Sequence, residues 1–169
     1  MLSIRAGAGG SGRGRGGMAS KLEAARIASW SGVRTVIARA SLPDVLQAAV
    51  ASSVHGTTFH GHDRRLAARK LWIAFAAEVR GTITVDEGAR RALVERAVSL
   101  LPAGVRDVAG QFGEGDTVDV SDPSGQVFAR GVVWVGAGEL RAVAGRRTSE
   151  LPEGMIHEVI HRDDLVVLP

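Results

Sequence analysis

The sequence predicts an α/β piece followed by a mostly-β, barrel-like module with short helices. Residues 20–59 read as helix, strand, helix, strand, which is the order of an α/β fold. Beyond residue 80, short apolar runs alternate with glycine-containing turns, a texture typical of a small barrel. The chain has 169 residues and 45% hydrophobic content, enough to bury one ordinary core or two small ones.

The first predicted element is a short amphipathic helix. Ser20 and Glu23 have the spacing of a capping box, and Gly32 stands where a helix should stop. Apolar side chains recur between them at helical intervals, namely Leu22, Ala25 and Ala28. The pattern therefore predicts a helix that begins at Ser20 and ends before Gly32.

The next predicted elements complete the α/β piece and lead out of it. Residues 33–38 read as a buried strand, residues 43–51 as a helix with proline in its first turn, and residues 54–59 as another strand. Residues 61–69 are charged and polar, as expected of a junction. Residues 71–77 form an apolar segment suited to packing between two domains.

The remainder of the chain predicts the barrel-like module. Residues 81–85 alternate like a strand, and residues 86–99 read as a helix. After Pro102, short strands are separated by glycines at 113, 115, 125, 131, 136 and 145. The aromatic side chains, four Phe, three Trp and no Tyr, fall mostly in apolar stretches and are expected in the core, so a stacking platform for bases is not predicted.

Composition bounds the partners and the compartment. The net charge of +3 is carried almost entirely by arginine, since Lys21 and Lys70 are the only lysines, and it does not by itself require an anionic partner. The chain has no cysteine, which excludes disulfides and thiolate metal sites. The longest apolar run, residues 71–77, is too short to cross a bilayer, and residues 1–17 lack the apolar stretch of a signal peptide. We therefore expect a soluble cytoplasmic protein without a membrane partner.

The glycine-rich segment before the first helix admits several interpretations. Gly12, Gly14 and Gly17 match the dinucleotide-binding fingerprint, but residues 1–11 offer no preceding strand, so we reject this match. A Walker A loop is excluded because no Lys-Ser or Lys-Thr pair follows the last glycine. Residues 1–17 are mostly Gly, Arg, Ser and Ala and predict a flexible end, which leaves loose RNA binding through arginine and glycine open.

A phosphate site at the helix entrance is the interpretation we prefer. A helix amino terminus presents unpaired N–H groups and a partial positive charge. Gly16 and Gly17 would let a phosphate approach the backbone, and Lys21 adds a full charge in the first turn. Together these residues predict contacts to a nucleotide phosphate.

This segment resembles the ATP-binding segment of glutamate 5-kinases, which belong to the amino-acid kinase superfamily. The matching positions are Gly14, residues 16–22, Ala24, Ala25 and residues 31–33. In that family the segment reads Gly-Thr-Gly-Gly-Met, a variable residue, Thr-Lys. Here Ser20 replaces the second threonine and Arg15 the first. The resemblance implies ATP with Mg²⁺ as cofactor, bound by Gly16, Gly17, Met18, Ala19, Ser20 and Lys21.

The resemblance continues to the end of the chain. Matching segments include Arg65-Leu66, Ala68-Arg69-Lys70, Gly81-Thr82-Ile83, Leu100-Leu101-Pro102, Ala129-Arg130-Gly131 and residues 158–165. They imply four parts: a flexible end at 1–17, the last piece of an amino-acid kinase domain at 18–62, a junction at 63–79, and a PUA domain at 80–169. The fold class is then an α/β fragment, the end of the amino-acid kinase sheet, followed by a mostly-β PUA pseudo-barrel.

PUA domains occur as RNA-binding parts of several RNA-modifying enzymes. RNA is therefore a partner that the resemblance permits, and Arg141, Arg146 and Arg147 are its candidate contacts. A solvated basic turn is the simpler interpretation of these three residues.

His157 to His161 spell H-E-x-x-H, the zinc motif of metalloproteases. On a helix the two histidines share one face. On a strand four residues span about 13 Å, too far for one tetrahedral zinc. The surrounding β-branched residues favour a strand, the chain supplies no third ligand after Pro169, and we reject a metal site.

Two interpretations of the chain remain: it is part of a kinase, or it is a freestanding binding module. In the resembling family, ATP phosphorylates the side-chain carboxylate of glutamate in proline biosynthesis. The resemblance places the glutamate-binding half before Met1, so we expect no kinase activity from this chain alone and assign no catalytic residue. Partners would be the missing kinase half or further copies of the full enzyme. The alternative is a freestanding PUA-type RNA-binding module.

Overall fold

The computed structural model describes residues 17–51, 53, 56–63, 65–151 and 158–168. The chain divides into two compact units, Met1–Ala67 and Ala68–Pro169, which we call the first and second unit. None of the described helices is long and apolar enough to cross a membrane.

The first unit has the predicted order of elements. Its elements are α1 (Met18–Trp30), β1 (Thr35–Ala38), α2 (Val45–Val50) and β2 (Gly56–Phe59). The strands form an antiparallel two-stranded sheet in which Thr35 lies opposite Phe59 and Ala38 opposite Gly56. Among the described residues of this unit, only Ala25 and Ser29 are buried. The α/β order is therefore present, but the described part of the unit contains little core.

The entrance to α1 differs from the predicted capping box. The helix begins at Met18 with Gly17 as N-cap, two residues earlier than expected, and no side chain caps it. Ser20 therefore lies inside the first turn, where its Oγ donates to the Gly17 carbonyl at 2.9 Å. The predicted end is confirmed, because the helix stops at Trp30 and Gly32 has a φ of +78°, a conformation that favours glycine.

The second helix is shorter than predicted. α2 begins at Val45, and its N-cap Asp44 has a φ of +52°, so Pro43 lies outside the helix rather than in its first turn. The side chains of Leu46 and Val50 are 77% and 85% exposed, and no residue of α2 is buried.

The second unit is built on a five-stranded sheet. Its elements are α3 (Ala68–Phe75), β3 (Val79–Val85), α4 (Glu87–Arg96), β4 (Val105–Gly110), β5 (Thr117–Ser121), β6 (Val127–Val132), α5 (Ala137–Val143) and β7 (Leu165–Val167). Short 3₁₀ turns cover Pro102–Gly104, Thr148–Glu150 and Arg162–Asp164. The strand order is β4-β3-β5-β6-β7, with β3 and β5 parallel and the other neighbours antiparallel. The predicted mostly-β module is confirmed.

One continuous apolar core fills this unit. The inward faces of β3 and β5 supply Ile83, Val85, Val118 and Val120, all completely buried. The helices add Leu93 from α4 and Leu140 from α5 to the same core. The apolar segment predicted at 71–77 forms most of α3, which packs on β6 and β7.

The helix predicted at 86–99 ends early. Asp86 is its N-cap and accepts a hydrogen bond from the Ala89 amide at 2.7 Å. The helix ends at Arg96, because Ala97 takes a left-handed φ of +48°. Residues 97–99 therefore lead out of the helix.

The segment expected to be the closing strand is irregular at its start. Ile160 forms only an isolated bridge with Leu100, a 3₁₀ turn follows, and regular pairing begins at Leu165 in β7. Residues 158–161 form no helix, and His157 lies outside the described residues. The Nδ1 atom of His161 accepts a hydrogen bond from the Asp163 amide, so this nitrogen faces its own backbone.

Candidate functional site

The predicted ATP-binding residues lie at the exposed amino terminus of α1. Gly17, Met18, Ala19, Ser20 and Lys21 are all exposed, while Gly16 lies outside the described residues. The first turn has no acidic residue, and a Cβ placed on Gly17 would meet no atom within 4 Å. The backbone at Gly17 is therefore open to an approaching group, and the 13-residue helix directs its positive end there. These features fit a phosphate.

The other end of α1 is fixed within the first unit. The Ser29 hydroxyl donates to the His60 carbonyl at 2.5 Å, and the Trp30 and His62 rings stack with centroids 3.9 Å apart. The amide of His62 donates to the Ser29 carbonyl at 2.8 Å. These contacts join the helix to the segment after β2, so the direction of α1 is set by the polypeptide that follows the sheet.

The three arginines predicted as RNA contacts differ in their surroundings. Arg141 on α5 donates from Nε to the Val108 carbonyl at 3.2 Å and from Nη2 to the Gly110 carbonyl at 2.6 Å. It thereby occupies backbone acceptors of β4, the edge strand of the sheet. Arg146 and Arg147 are exposed in the turn after α5. The Arg141 guanidinium is therefore hydrogen-bonded to the edge strand. That Arg141, Arg146 and Arg147 contact RNA stays a prediction.

An exposed tryptophan forms a cluster that the sequence did not predict. Trp134 follows β6 and is 47% exposed, and Trp72 on α3 is 49% exposed, so the expectation that aromatic residues lie in the core is wrong for both. The Trp134 ring stacks on His161, with centroids 5.3 Å apart and planes 15° apart. Its Nε1 donates to Asp164 Oδ2 at 3.2 Å. Both contacts hold the indole in one orientation.

The carboxylate of Asp164 anchors this cluster. Arg69 on α3 donates from Nε to Asp164 Oδ1 at 2.5 Å, opposite the bond from Trp134. Burial acts to raise the pKa of Asp164, but the hydrogen bonds from Arg69 and Trp134 and the charge of Arg69 outweigh it, so the pKa lies below its ordinary value. Asp164 is therefore ionised at neutral pH in the folded unit.

This pKa predicts an acid-sensitive contribution to stability. Because the folded pKa is lowered, the contribution is complete above the unfolded pKa of about 4 and is lost as the pH falls through the lower folded pKa. At pH 7, Asp164→Asn should lower the free energy of unfolding by about 1–3 kcal/mol, the range for hydrogen bonds to a charged group. Urea denaturation at pH 7, 5, 4 and 3 should show the difference from wild type shrinking toward pH 3.

The control is Asp163→Asn, because the neighbouring Asp163 side chain is 76% exposed. Its effect should stay within about 0.5 kcal/mol at every pH. A difference between Asp164→Asn and wild type that persists unchanged at pH 3 would contradict the assigned role of the carboxylate.

A cavity of about 840 Å³ lies in the second unit, between α4, residues 98–104 and residues 158–162. Its wall is mainly apolar, with Ala89, Leu93 and Leu101, and carries the charged side chains of Arg96, Glu158 and Arg162. His161 also lines it and so lies between the cavity and Trp134. The described residues of the chain contain no cluster of three or more His, Asp or Glu suited to a metal ion.

The second unit matches a known family. Residues 81–155 match the family model described as the PUA domain. The matched range begins inside β3 and runs past the 3₁₀ turn at 148–150, so it includes most of the five-stranded sheet. The predicted PUA fold is confirmed.

Relatives of the whole chain are glutamate 5-kinases. That of Myxococcus xanthus (strain DK1622) is 48% identical over 162 residues, which cover 94% of this chain and 43% of the relative. That of Synechococcus sp. (strain JA-3-3Ab) is 44% identical over 172 residues, covering 99% of this chain and 46% of the relative. The resemblance to glutamate 5-kinases is confirmed along nearly the whole chain. The chain spans less than half the length of these relatives.

Solved structures resemble the chain loosely. A conserved PUA domain protein from Thermoplasma acidophilum is 19% identical with a TM-score of 0.39, covering 85% of this chain and 87% of that one. A PUA domain from Aeropyrum pernix K1, in a tartrate complex, is 27% identical with a TM-score of 0.38, covering 56% of this chain and 50% of that one.

Proposed function

We propose that this chain is the carboxy-terminal part of an ATP-dependent glutamate 5-kinase. The observation that carries the proposal is identity of 44–48% to such enzymes over 94–99% of the chain. The open, uncapped entrance of α1 with Lys21 exposed beside it supports the proposal, because it offers a phosphate the backbone N–H groups and charge that phosphoryl transfer needs.

In the proposed enzyme, Gly16, Gly17, Met18, Ala19, Ser20 and Lys21 hold the phosphates of ATP. The bound ATP would carry Mg²⁺, which would offset phosphate charge in the transfer to the side-chain carboxylate of glutamate, the first step of proline biosynthesis. The backbone at Gly17 lies close to the phosphate because glycine leaves that approach open, and Lys21 supplies a mobile full charge. The Lys21 ammonium stabilises negative charge on the phosphates and removes no proton.

The chain alone is expected to show no glutamate kinase activity. It spans 42–46% of the length of its relatives, and the glutamate-binding residues are expected in the portion of those relatives that it does not match. The partner implied is that remaining portion of the kinase, with further copies of the full enzyme as the second possibility. ADP release measured with glutamate and MgATP should equal the rate without glutamate.

Calorimetry with MgATP tests the phosphate site. Lys21→Ala should weaken binding about 10- to 150-fold, because it removes a hydrogen bond from a charged donor to phosphate worth about 1.5–3 kcal/mol. Arg39→Ala is the matched control, since Arg39 is an exposed cation of the same unit after β1. Equal affinities for Lys21→Ala and wild type would contradict the proposed site.

RNA binding by the second unit is the second candidate function. The match of residues 81–155 to the PUA domain favours it, together with the exposed Arg146 and Arg147. Binding through these cations should weaken as salt is raised, in proportion to the phosphates they neutralise. We expect either function to be exercised in the cytoplasm.

A further inference from the structure

We infer that the Trp134–His161 stack is a second nucleotide site, in which an unpaired base stacks on the indole and its phosphate meets Arg69 and Lys70. This goes beyond the kinase function, which uses the entrance of α1 in the first unit. It rests on the RNA-binding candidate only if the nucleotide belongs to an RNA strand.

The indole of Trp134 is both exposed and held in place. It keeps 47% of its surface open while one ring face stacks on His161 and its Nε1 donates to Asp164. A large apolar ring that stays exposed yet is held rigidly has little side-chain freedom left to lose on binding. Such a ring suits a flat, apolar partner that stacks on it, and a nucleobase has this shape.

Cations next to the ring favour a base that carries phosphate. The Arg69 guanidinium is 61% exposed, and its bond to Asp164 uses only Nε, one of five donors. Lys70, the next residue on α3, donates from Nζ to the Arg162 carbonyl at 3.2 Å, and an ammonium has two further donors. Both residues are tied to the 3₁₀ turn at 162–164, the same turn that supplies Asp164 to the indole.

The acidic groups of the cluster define where the phosphate lies. Asp164 is buried and already bonded by Arg69 and Trp134, so its charge is offset inside the cluster. Glu158 Oε2 lies 4.0 Å from His161 Nε2, and Asp163 Oδ2 lies 3.7 Å from His161 Nδ1, so the carboxylates that are not bonded by Arg69 lie next to the histidine. A phosphate is therefore directed away from His161 and toward Arg69 and Lys70.

Two test ligands distinguish a free nucleotide from an unpaired RNA strand as the occupant of the site. AMP represents a free nucleotide, and fluorescein-labelled octa-adenylate represents an unpaired strand. Anisotropy with the labelled strand, and competition with AMP, measure the two affinities on the full chain. If labelled octa-adenylate binds and millimolar AMP does not displace it, the ligand of the site is an RNA strand. If AMP displaces octa-adenylate at the same concentration counted per nucleotide, the ligand is a free nucleotide.

The decisive variant is Trp134→Leu, which removes the ring and keeps an apolar side chain. It should weaken binding about 5- to 150-fold, the effect of losing one base stacked on an aromatic ring. Trp72→Leu is the control, because Trp72 is exposed to a similar extent, 49% against 47%, in the same unit and makes neither the stack on His161 nor the bond to Asp164. Equal weakening by both leucine variants, or none by Trp134→Leu, overturns the inference, as does no binding of either ligand to the wild type.

Two further measurements keep the result independent of folding and of the ATP site. Trp134→Phe retains a ring, so it should bind more tightly than Trp134→Leu, but it should lose the ligand-induced quenching of indole fluorescence that is expected for wild type. Lys21→Ala should leave octa-adenylate binding unchanged, and Trp134→Leu should leave the Lys21-dependent heat of MgATP binding unchanged. Failure of one site is thereby distinguished from failure of the other.

Discussion

Replacing Leu140 by alanine is expected to lower the free energy of unfolding of the second unit by about 2–5 kcal/mol. Leu140 lies on α5, is completely buried, and belongs to the same core as Ile83 and Val118. Removing three carbons at such a position loses apolar burial and leaves a cavity, because the surrounding sheet relaxes only in part. The adjacent Arg141 holds carbonyls of β4, so loosening α5 also weakens an edge contact.

Urea denaturation followed by circular dichroism measures this change. The midpoint should fall while the slope with denaturant stays constant, since the surface exposed on unfolding changes little. Leu101→Ala is the control, because Leu101 is 41% exposed and its truncation should cost less than half as much. Equal losses for the two variants would show that α5 does not close the core.

The second unit was largely predictable because its pattern is strong. The alternation of apolar residues predicts β3, where Ile83 and Val85 are buried. After β3, the Asp86 amide donates to the Gly104 carbonyl, which joins the start of α4 to the turn that follows the helix. The sequence did not reveal that β3 pairs with β5 in parallel, because pairing joins residues far apart in the chain. It also placed the helix end three residues late, since Ala97 adopts a positive φ that its side chain does not predict.

The phosphate site at α1 and the tryptophan cluster could likewise be predicted only in part from the sequence. The sequence predicted an exposed helix entrance with Lys21, but local spacing misassigned Ser20 as its cap, and glycine took that position instead. The sequence around Trp134 carried no signal of its exposure, because the run Val132-Val133-Trp134-Val135 is apolar throughout, and only the structure shows Trp134 exposed between two buried valines. Its partners Asp164 and His161 lie about thirty residues away, and only the folded sheet brings them to the ring.

The second large effect concerns the unequal stability of the two units. Amides in β5, such as those of Val118 and Val120, should exchange with solvent hydrogen at least about a thousandfold more slowly than amides of β1 and α2. β5 is a central strand of the sheet and is completely buried at these two positions. In the described part of the first unit, the sheet has two strands and α2 buries no residue. An isolated pair of strands is marginally stable in water.

Hydrogen exchange read by NMR on the full chain separates local from global opening. Leu140→Ala should lower the free energy of exchange of β5 amides by the same amount by which it lowers the free energy of unfolding. The β1 amides should be unchanged, because they exchange through local opening. Protection in β1 equal to that in β5, falling in parallel in the variant, would instead mean that both units unfold as one. Low protection of β1 and α2 is the behaviour expected if the first unit is part of a larger kinase domain. Among the described large apolar residues, Leu46 and Val50 have the highest exposed fractions, 77% and 85%, and so have surface left to bury against it.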